Sequence, residues 1–190
     1  MDASLTMVLD GGPMKLSVAG VAQQIGAPSG SIYHRFSGKD ALVGALWLRS
    51  VEKFQEGFTT AIAADEPLEA AIAAATHVVR WSRNEFDHAR LLLVHRSRDF
   101  FGAGWPEELR DRNDRQRLKA QRAIRDLADR LGAVDADGLA RVKFAVVSVP
   151  YGAVRPALST GRRPPSILEV FVEETVVALL GPLAGRRKDT

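Results

Sequence analysis

Apolar residues recur every three or four positions along most of this chain, which is the spacing of one helix face. The pattern is clear over residues 18–25 and 68–79, whereas the alternation typical of β-strands is nearly absent. Glycine, proline and polar clusters interrupt it. The sequence therefore predicts an all-α fold with about nine helices, at residues 2–10, 17–25, 28–35, 38–64, 67–82, 85–98, 106–131, 137–158 and 166–183.

Several predicted helix ends carry residues that suit them. Ser17 can accept a hydrogen bond from the first free amides of the second helix. Ser37, with Asp40 three residues later, resembles a capping box at the start of the fourth helix. Pro106 suits the first turn of the seventh helix, because its missing N–H has no partner there, and Gly132 suits that helix's end.

Residues 16–36 have the pattern of two short helices joined by a glycine-containing turn. The residues predicted to pack are Val18, Val21, Ala22, Ile25, Ile32 and Phe36. The residues left nearer solvent are Ser29, Gly30, Ser31, Tyr33 and His34. Short side chains at the start of the second helix let its backbone approach DNA, as in a helix-turn-helix. The alternative is that both helices only pack, with Tyr33 half buried and His34 and Lys39 on a solvated surface.

The helix-turn-helix also has a specific residue order. It runs Ser17-x-x-x-Val21-Ala22, then Gly26-x-x-x-Gly30-Ser31-Ile32-Tyr33-x-x-Phe36-x-x-Lys39-x-x-Leu42. This order resembles the signature of the tetracycline-repressor (TetR) family, over roughly residues 5–46. The resemblance implies a DNA-binding domain at 1–46 and a helical ligand-binding and dimerisation domain at 47–190. It implies DNA contacts from Ser17, Ser29, Gly30, Ser31, Tyr33, His34 and Lys39, with Lys39 beside the phosphate backbone.

The N-terminal region departs from the family's pattern in two respects. The family usually carries a basic residue where Ser29 stands and a hydroxyl where Pro28 stands, so one phosphate contact and one helix cap are expected to be missing. The family's first helix is also usually longer and follows a basic arm. Here only residues 1–10 precede the turn, which suggests a truncated or misassigned start.

The composition of the chain excludes several classes of protein. The chain has no cysteine, which excludes disulfides and thiolate metal sites and fits a reducing cytoplasm. It has neither a run of about 20 uncharged apolar residues nor a basic signal segment, so we expect no membrane partner. Its net charge is only +3. DNA binding must therefore depend on local geometry rather than bulk charge.

The last two predicted helices are apolar on more than one face, over residues 139–149 and 167–180. One internal core cannot cover so much apolar surface, so we expect a homodimer held by these helices, with Val176 and Leu180 facing the partner. The resemblance implies a four-helix bundle made by two copies of this pair. The alternative is that both helices are simply central and fully buried.

A ligand pocket is expected among the fifth to eighth helices. Pro150 lies inside the eighth helix, where it removes a backbone hydrogen bond and predicts a kink, and kinked helices often border cavities. The candidate ligand-binding residues are His77, Trp81, His95, Arg98, Trp105, Tyr151 and Arg155. The alternative is that the tryptophans are ordinary core and the arginines ordinary surface. The fourth helix would connect this pocket rigidly to the DNA-binding domain.

No residue set supports an enzyme, and we expect neither catalytic residues, nor a cofactor, nor a metal. Glu85 and His88 have the spacing found in di-iron bundles, but no second such pair exists in the sequence. The arginine-rich run at 110–125 has interspersed acidic residues. It is interpreted as a solvated helix face, with a second nucleic-acid surface as the alternative.

These patterns together predict a ligand-responsive DNA-binding transcription regulator, most simply a repressor. It is expected to bind a near-palindromic operator in double-stranded DNA as a homodimer and to respond to a small-molecule effector in the cytoplasm. The alternative is a TetR-like helical module that binds ligands or partners and has lost operator binding. The short first helix is the feature that favours this alternative.

Overall fold

The structure is a computed structural model that describes residues 2–11, 16–26, 28, 30, 34, 36–94 and 105–186. Within these ranges the chain forms helices and no β-strand, so the all-α prediction is confirmed. The helix predicted at residues 28–35 lies mostly outside the described residues. The elements are α1 (Asp2–Gly11), α2 (Val18–Gln24), α3 (Lys39–Ile62), α4 (Pro67–Asn84), α5 (Phe86–Val94), α6 (Glu107–Arg130), α7 (Ala136–Lys143), a π-helical turn (Phe144–Ser148), α8 (Val149–Ser159) and α9 (Ile167–Arg186). None of the helices in this part of the chain combines the length and the hydropathy needed to cross a membrane.

Two predicted helix ends are confirmed, and a third is displaced by one residue. The Ser17 hydroxyl accepts a hydrogen bond from the Gly20 amide at 3.0 Å and caps α2. Pro106 was predicted in the first turn of α6, but it occupies the N-cap, one residue before the helix begins at Glu107. After α6, Gly132 has a φ of 73°, and the Ala133 amide donates to the Ala128 carbonyl at 2.8 Å. That bond turns the chain away from the helix, and the left-handed conformation at Gly132 is one that glycine adopts without strain.

The capping box predicted at Ser37 and Asp40 is wrong. The first residue of α3 is Lys39 and the capping position belongs to Gly38, which has no side chain to bond a free amide. Ser37 therefore lies one residue too early, because a capping hydroxyl must belong to the residue directly before the helix.

Pro150 follows a π-helical turn, in which the Val149 amide donates to the Phe144 carbonyl five residues earlier. Proline has no amide hydrogen, so the α-helical bond from Pro150 to Val146 cannot form. The wider turn accommodates this loss within a helical path that runs from residue 136 to 159. The sequence predicted a kink at Pro150, and the structure shows a π-helical turn directly before the helix that contains it.

The N-terminal helices share a small core with residues from far along the chain. This N-terminal core consists of Leu5, Val8, Leu16, Val18, Val21, Ala22, Leu42, Val43, Leu46, Trp47, Leu91 and Trp105. Ile25, which was predicted to pack with α2, is instead 53% exposed. It occupies the C-cap of α2, where the chain turns away at Gly26 (φ 64°). Because the helix ends here, the helical spacing no longer places the Ile25 side chain on the face that packs in the core.

Helix α3 is the element that the two halves of the molecule share. Its first half packs in the N-terminal core, and Phe58 and Ile62 in its second half belong to the larger C-terminal core. A Cβ on Gly44 would lie 2.8 Å from the Trp105 ring, so this glycine lets the indole pack directly on the α3 backbone. The Arg130 guanidinium donates to the Ile62, Ala64 and Asp65 carbonyls and caps the far end of α3.

Helix α9 packs along α4, and the π turn and α8 pack beside both helices. Val176 and Leu180 are fully buried in the core within one chain, so the expectation that they face a partner is wrong. A different set of large apolar side chains on the π turn, α8 and α9 is exposed. We call this set the apolar face, and it consists of Phe144, Val147, Tyr151, Ile167, Val170, Phe171 and Val177.

Candidate functional site

The predicted DNA-binding residues lie around the start of α3 and the segment before it. Gly30 and His34 are helical and exposed, and Lys39 is the first residue of α3. Ser17 is exposed at the start of α2, where its hydroxyl caps the helix. Ser29, Ser31 and Tyr33 lie outside the described residues. Ser17 and Lys39 therefore lie at helix N-termini, whose free amides and dipole favour phosphate.

A cavity of about 240 Å³ lies between α3, α4, α5, α6 and the segment 146–151. It is lined by Phe54, Gln55, Phe58, Val78, Trp81, Ser82, Leu92, Ala120, Ile124, Val146, Val147 and Tyr151. The lining is almost entirely apolar, which is typical of sites for small organic molecules. Trp81 and Tyr151, two of the predicted ligand-binding residues, are among these side chains.

The other predicted ligand-binding residues are placed elsewhere or lie outside the described residues. Trp105 is buried in the N-terminal core against Gly44. Arg155 is exposed on α8 and is not part of the cavity lining. His95 and Arg98 lie outside the described residues. His77 lies one layer behind the cavity wall.

His77 supports the cavity wall through Phe54. Its Nε2 lies 3.2 Å from the Phe54 carbonyl oxygen and therefore donates to it, and the two ring centroids are 5.5 Å apart. Burial lowers the pKa of His77 from its usual value of 6.5, opposed by the hydrogen bond to Phe54 and reinforced by the Arg80 charge. The neutral imidazole is consequently the form that the folded protein favours.

His77→Gln is expected to make the free energy of unfolding less sensitive to acid. A histidine with a lowered pKa binds its proton more readily when unfolded, so its stabilising contribution is complete above pH 6.5 and is lost as the pH falls below that value. Glutamine can still donate to the Phe54 carbonyl but does not titrate. Denaturant unfolding of both proteins from pH 7.5 to 5 should show a shallower slope for the variant, and identical slopes would contradict the assignment.

Two residues of the cavity lining each carry a buried polar atom without a hydrogen-bond partner among the described residues. The atoms are Gln55 Oε1 and Ser82 Oγ, both buried, and the whole of Ser82 is buried. Neither residue was among those predicted from the sequence to bind a ligand. A signal was present, because Gln55 follows Val51 by four positions and Ser82 follows Val78 by four. Each is thus a polar residue within an apolar helical stripe.

The Glu85 and His88 pair has structural partners. The Lys53 ammonium donates to Glu85 at 2.9 Å, and this hydrogen bond holds the pKa of Glu85 below its usual value. Buried His88 Nδ1 lies 2.7 Å from the Ser50 hydroxyl, which also donates to the Leu46 carbonyl. Within the described ranges no group of three or more histidine or acidic side chains is placed to hold a metal. Both residues therefore attach α5 and its preceding turn to α3.

Comparison with known proteins identifies the N-terminal region. Residues 1–46 match the family model described as bacterial regulatory proteins, tetR family. The match covers the helix-turn-helix and the start of α3, and it confirms the resemblance found in the sequence. No curated protein matches the chain significantly in sequence.

Solved structures extend the likeness over nearly the whole chain. A tetR-family regulatory protein from Rhodococcus RHA1 has a TM-score of 0.73 at 16% identity, covering 94% of this chain and 93% of its own. AibR, solved with isovaleryl coenzyme A and operator DNA, has a TM-score of 0.69 at 15% identity, with 94% of each chain covered. FadR from Bacillus subtilis, solved with stearoyl-CoA, has a TM-score of 0.66 at 15% identity, covering 93% and 95%. At these identities the likeness establishes the fold.

Proposed function

We propose that this chain is a ligand-responsive repressor of the TetR family, because its first 46 residues match that family's model and its fold is similar to those of TetR-family regulators. It binds a near-palindromic operator as a homodimer and releases it when a small, largely apolar molecule occupies the cavity. The observation that carries this proposal is helix α3. Its first residue, Lys39, belongs to the DNA-binding region, and its Phe54, Gln55 and Phe58 line the cavity.

The arrangement of α3 and α5 supports coupling between the two sites. Leu92 on α5 lines the cavity and packs against both cores, while Leu91 beside it is buried in the N-terminal core. A ligand that pushes Leu92 or Phe54 outward would therefore displace elements that the DNA-binding domain packs on. A ligand favouring the DNA-incompetent arrangement by about 1–3 kcal/mol lowers operator affinity roughly 5- to 150-fold.

The apolar face supports the homodimer. It consists of seven large exposed apolar side chains on the π turn, α8 and α9, which pack beside one another, and extensive exposed apolar surface is typical of a protein interface. A second copy related by a twofold axis would cover the same face on both chains. Such a dimer presents two recognition helices to successive major grooves, about 34–36 Å apart or a multiple of that, which requires a near-palindromic site.

AibR and FadR support the choice of ligand. Both share this fold and were solved with acyl-coenzyme A molecules, and AibR was solved with operator DNA as well. The cavity of this chain is lined almost entirely by apolar side chains. The proposed effector is accordingly a molecule whose buried part is apolar.

Selection of DNA from a random duplex pool tests the function directly. The purified protein should enrich one near-palindromic sequence. Lys39→Ala should weaken binding to all duplexes almost equally and flatten the dependence of log affinity on log salt by about one unit, because it removes one phosphate contact. Tyr33→Ala should weaken binding to the enriched sequence.

Lys143→Ala is the matched control, because Lys143 is an exposed lysine on α7, far along the chain from the DNA-binding region. It should leave both affinity and salt slope unchanged. If no sequence is enriched, the alternative of a ligand-binding module without an operator is favoured. If Lys39→Ala and Tyr33→Ala bind like the unmodified protein, the assigned DNA-binding surface is wrong.

A further inference from the structure

We infer that the partner copy completes the ligand cavity, because the cavity and the apolar face share two side chains, Val147 and Tyr151. The inference rests on the proposed homodimer and the proposed ligand site, and it specifies how the two are linked. A ligand in the cavity and a second copy on the apolar face would lie on opposite sides of the same two side chains. Ligand binding and dimerisation should therefore strengthen each other.

Val147 and Tyr151 differ from the rest of the cavity lining in their exposure. Of the described residues that line the cavity they are the two most exposed, at 42% and 36% of their surface. Phe58, Trp81 and Val146, which also line the cavity, are buried. Val147 and Tyr151 therefore border the cavity on one side and, in a single chain, water on the other.

The backbone that carries these two side chains is irregular. Val147 belongs to the π turn, and Tyr151 lies between Pro150 and Gly152. Pro150 has no amide hydrogen to bond the Val146 carbonyl, and a Cβ on Gly152 would meet no described atom within 4 Å. The outer side of this segment is thus open in a single chain. A second copy packed there would hold the segment in one conformation, so a ligand would lose less entropy in ordering it.

The charges beside the apolar face favour a second copy of this chain as the occupant. Arg155 follows Tyr151 by four positions on α8, and Glu174 lies four positions after Val170 and three before Val177 on α9. At this spacing both exposed charges share a helix side with residues of the apolar face. Because a twofold axis presents the same face on both chains, Arg155 of one chain can lie opposite the partner's Glu174. The face is therefore self-complementary in charge.

Thermodynamic linkage makes the effect reciprocal. If dimerisation raises the affinity of each cavity for a ligand at least about fivefold, occupation of both cavities raises the association constant of the dimer by the square of that factor, at least about 25-fold. Release of the operator is a separate equilibrium, in which the liganded dimer adopts the DNA-incompetent arrangement. The two effects can therefore be measured independently.

Sedimentation equilibrium of the full chain with 1-nonanol tests the inference. A cavity of roughly 150 Å³ accommodates benzene, so one of about 240 Å³ accommodates about ten heavy atoms. 1-Nonanol is of this size and is nearly all hydrocarbon, like the lining. At saturation it should lower the dissociation constant of the dimer at least about 25-fold. Ala120→Phe, which adds a ring to the cavity lining, should abolish this shift if the alcohol acts from the cavity.

Calorimetric titration with 1-nonanol gives a second measurement. Phe171 belongs to the apolar face and not to the cavity lining, so Phe171→Glu should change ligand affinity only through loss of the partner copy. The folded monomer should bind 1-nonanol at least about fivefold more weakly than the unmodified dimer. Leu118→Glu is the matched control, because it adds the same charge to an exposed apolar residue outside both the apolar face and the cavity lining. It should keep the affinity of the dimer.

A dissociation constant of the dimer that stays the same or rises when 1-nonanol is bound would overturn the inference. Equal binding of 1-nonanol by the folded monomer and the dimer would do the same, because the partner copy would then contribute nothing to the site. If 1-nonanol does not bind the unmodified dimer, the cavity is not an apolar ligand site and the inference fails with it.

Failure of the proposed function gives different results. A chain that sediments as a monomer at micromolar concentration, with and without 1-nonanol, would refute the homodimer itself. A dimer that is tightened by 1-nonanol but keeps its full operator affinity would support the inference and refute ligand-induced release.

Discussion

Phe171→Glu is expected to convert the proposed homodimer to a folded monomer. Phe171 is 53% exposed on α9, within the apolar face, so the substitution adds a charge to the proposed interface without disturbing the core of one chain. Burying an unpaired carboxylate between two copies should weaken dimerisation at least about 100-fold, since truncating a central interface aromatic already costs about 2 kcal/mol or more. Because the twofold dimer contains two copies, each substitution acts twice.

Sedimentation equilibrium at micromolar concentration measures this change, with circular dichroism as the test of folding. Leu118→Glu is the matched control, because Leu118 is a large apolar residue, 43% exposed on α6, outside the apolar face. It should remain a dimer. A folded Phe171→Glu protein that sediments as a dimer would show that the interface lies elsewhere.

The same variant should lose most of its operator affinity. A monomer presents one recognition helix and contacts one half-site. In a dimer the second recognition helix is already held beside the DNA, so it binds the second half-site without a further loss of translational and rotational freedom, and the monomer lacks this contribution. A titration of a full operator duplex against a half-site duplex checks this. The unmodified protein should prefer the full operator strongly, and Phe171→Glu should bind both duplexes almost equally.

Helix positions could be predicted from the sequence because glycine, proline and capping residues act locally. Ser17 marks the start of one helix and Gly132 the end of another, and the hydrogen bonds at both ends join residues no more than five positions apart. Such local bonds can be predicted from the residue types in the sequence. The cap predicted at Ser37 is wrong because Gly38, one residue nearer the helix, occupies the capping position. The exposure of Ile25 has the same local origin, since the turn at Gly26 ends the helical period.

Which apolar side chains remain exposed could not be predicted in the same way. Helix α9 is apolar nearly all round, so the 3.6-residue period does not distinguish the face that packs on α4 from the face left open. Val176 and Phe171 look alike in the sequence. The exposed fraction of the side chain is 0% for Val176 and 53% for Phe171. Only the placement of α4 beside α9 decides which of the two is buried.

The cavity was predictable only in part, because it is the space left between helices that are distant in sequence. Trp81 and Tyr151 were identified by aromatic character and by the proline beside Tyr151. Trp105 was selected by the same criterion, yet it packs on Gly44 in the other core. Gln55 and Ser82 have no distinctive composition, and their unpaired oxygens become visible only when the surrounding helices are in place.

Ala120→Phe is expected to give a protein that binds its operator and no longer releases it. Ala120 lies on α6 and lines the cavity, so a phenylalanine there would direct its ring into the space that the ligand needs. An aromatic ring occupies a large part of a cavity of about 240 Å³. The DNA-binding region and the apolar face do not contain Ala120, so operator affinity without ligand should remain within about twofold of the unmodified protein.

Operator titrations with and without 1-nonanol, isovaleryl-coenzyme A and stearoyl-coenzyme A measure the response. The unmodified protein should lose roughly 5- to 150-fold in operator affinity with whichever of these it binds, and Ala120→Phe should lose none. Arg125→Phe adds the same ring to an exposed position of α6 outside the cavity lining and should keep the full response. If a folded, dimeric Ala120→Phe protein still releases its operator, the effector binds outside this cavity. The proposed coupling through Leu92 and Phe54 would then be wrong, because these two side chains can be displaced only by a ligand inside the cavity that they line.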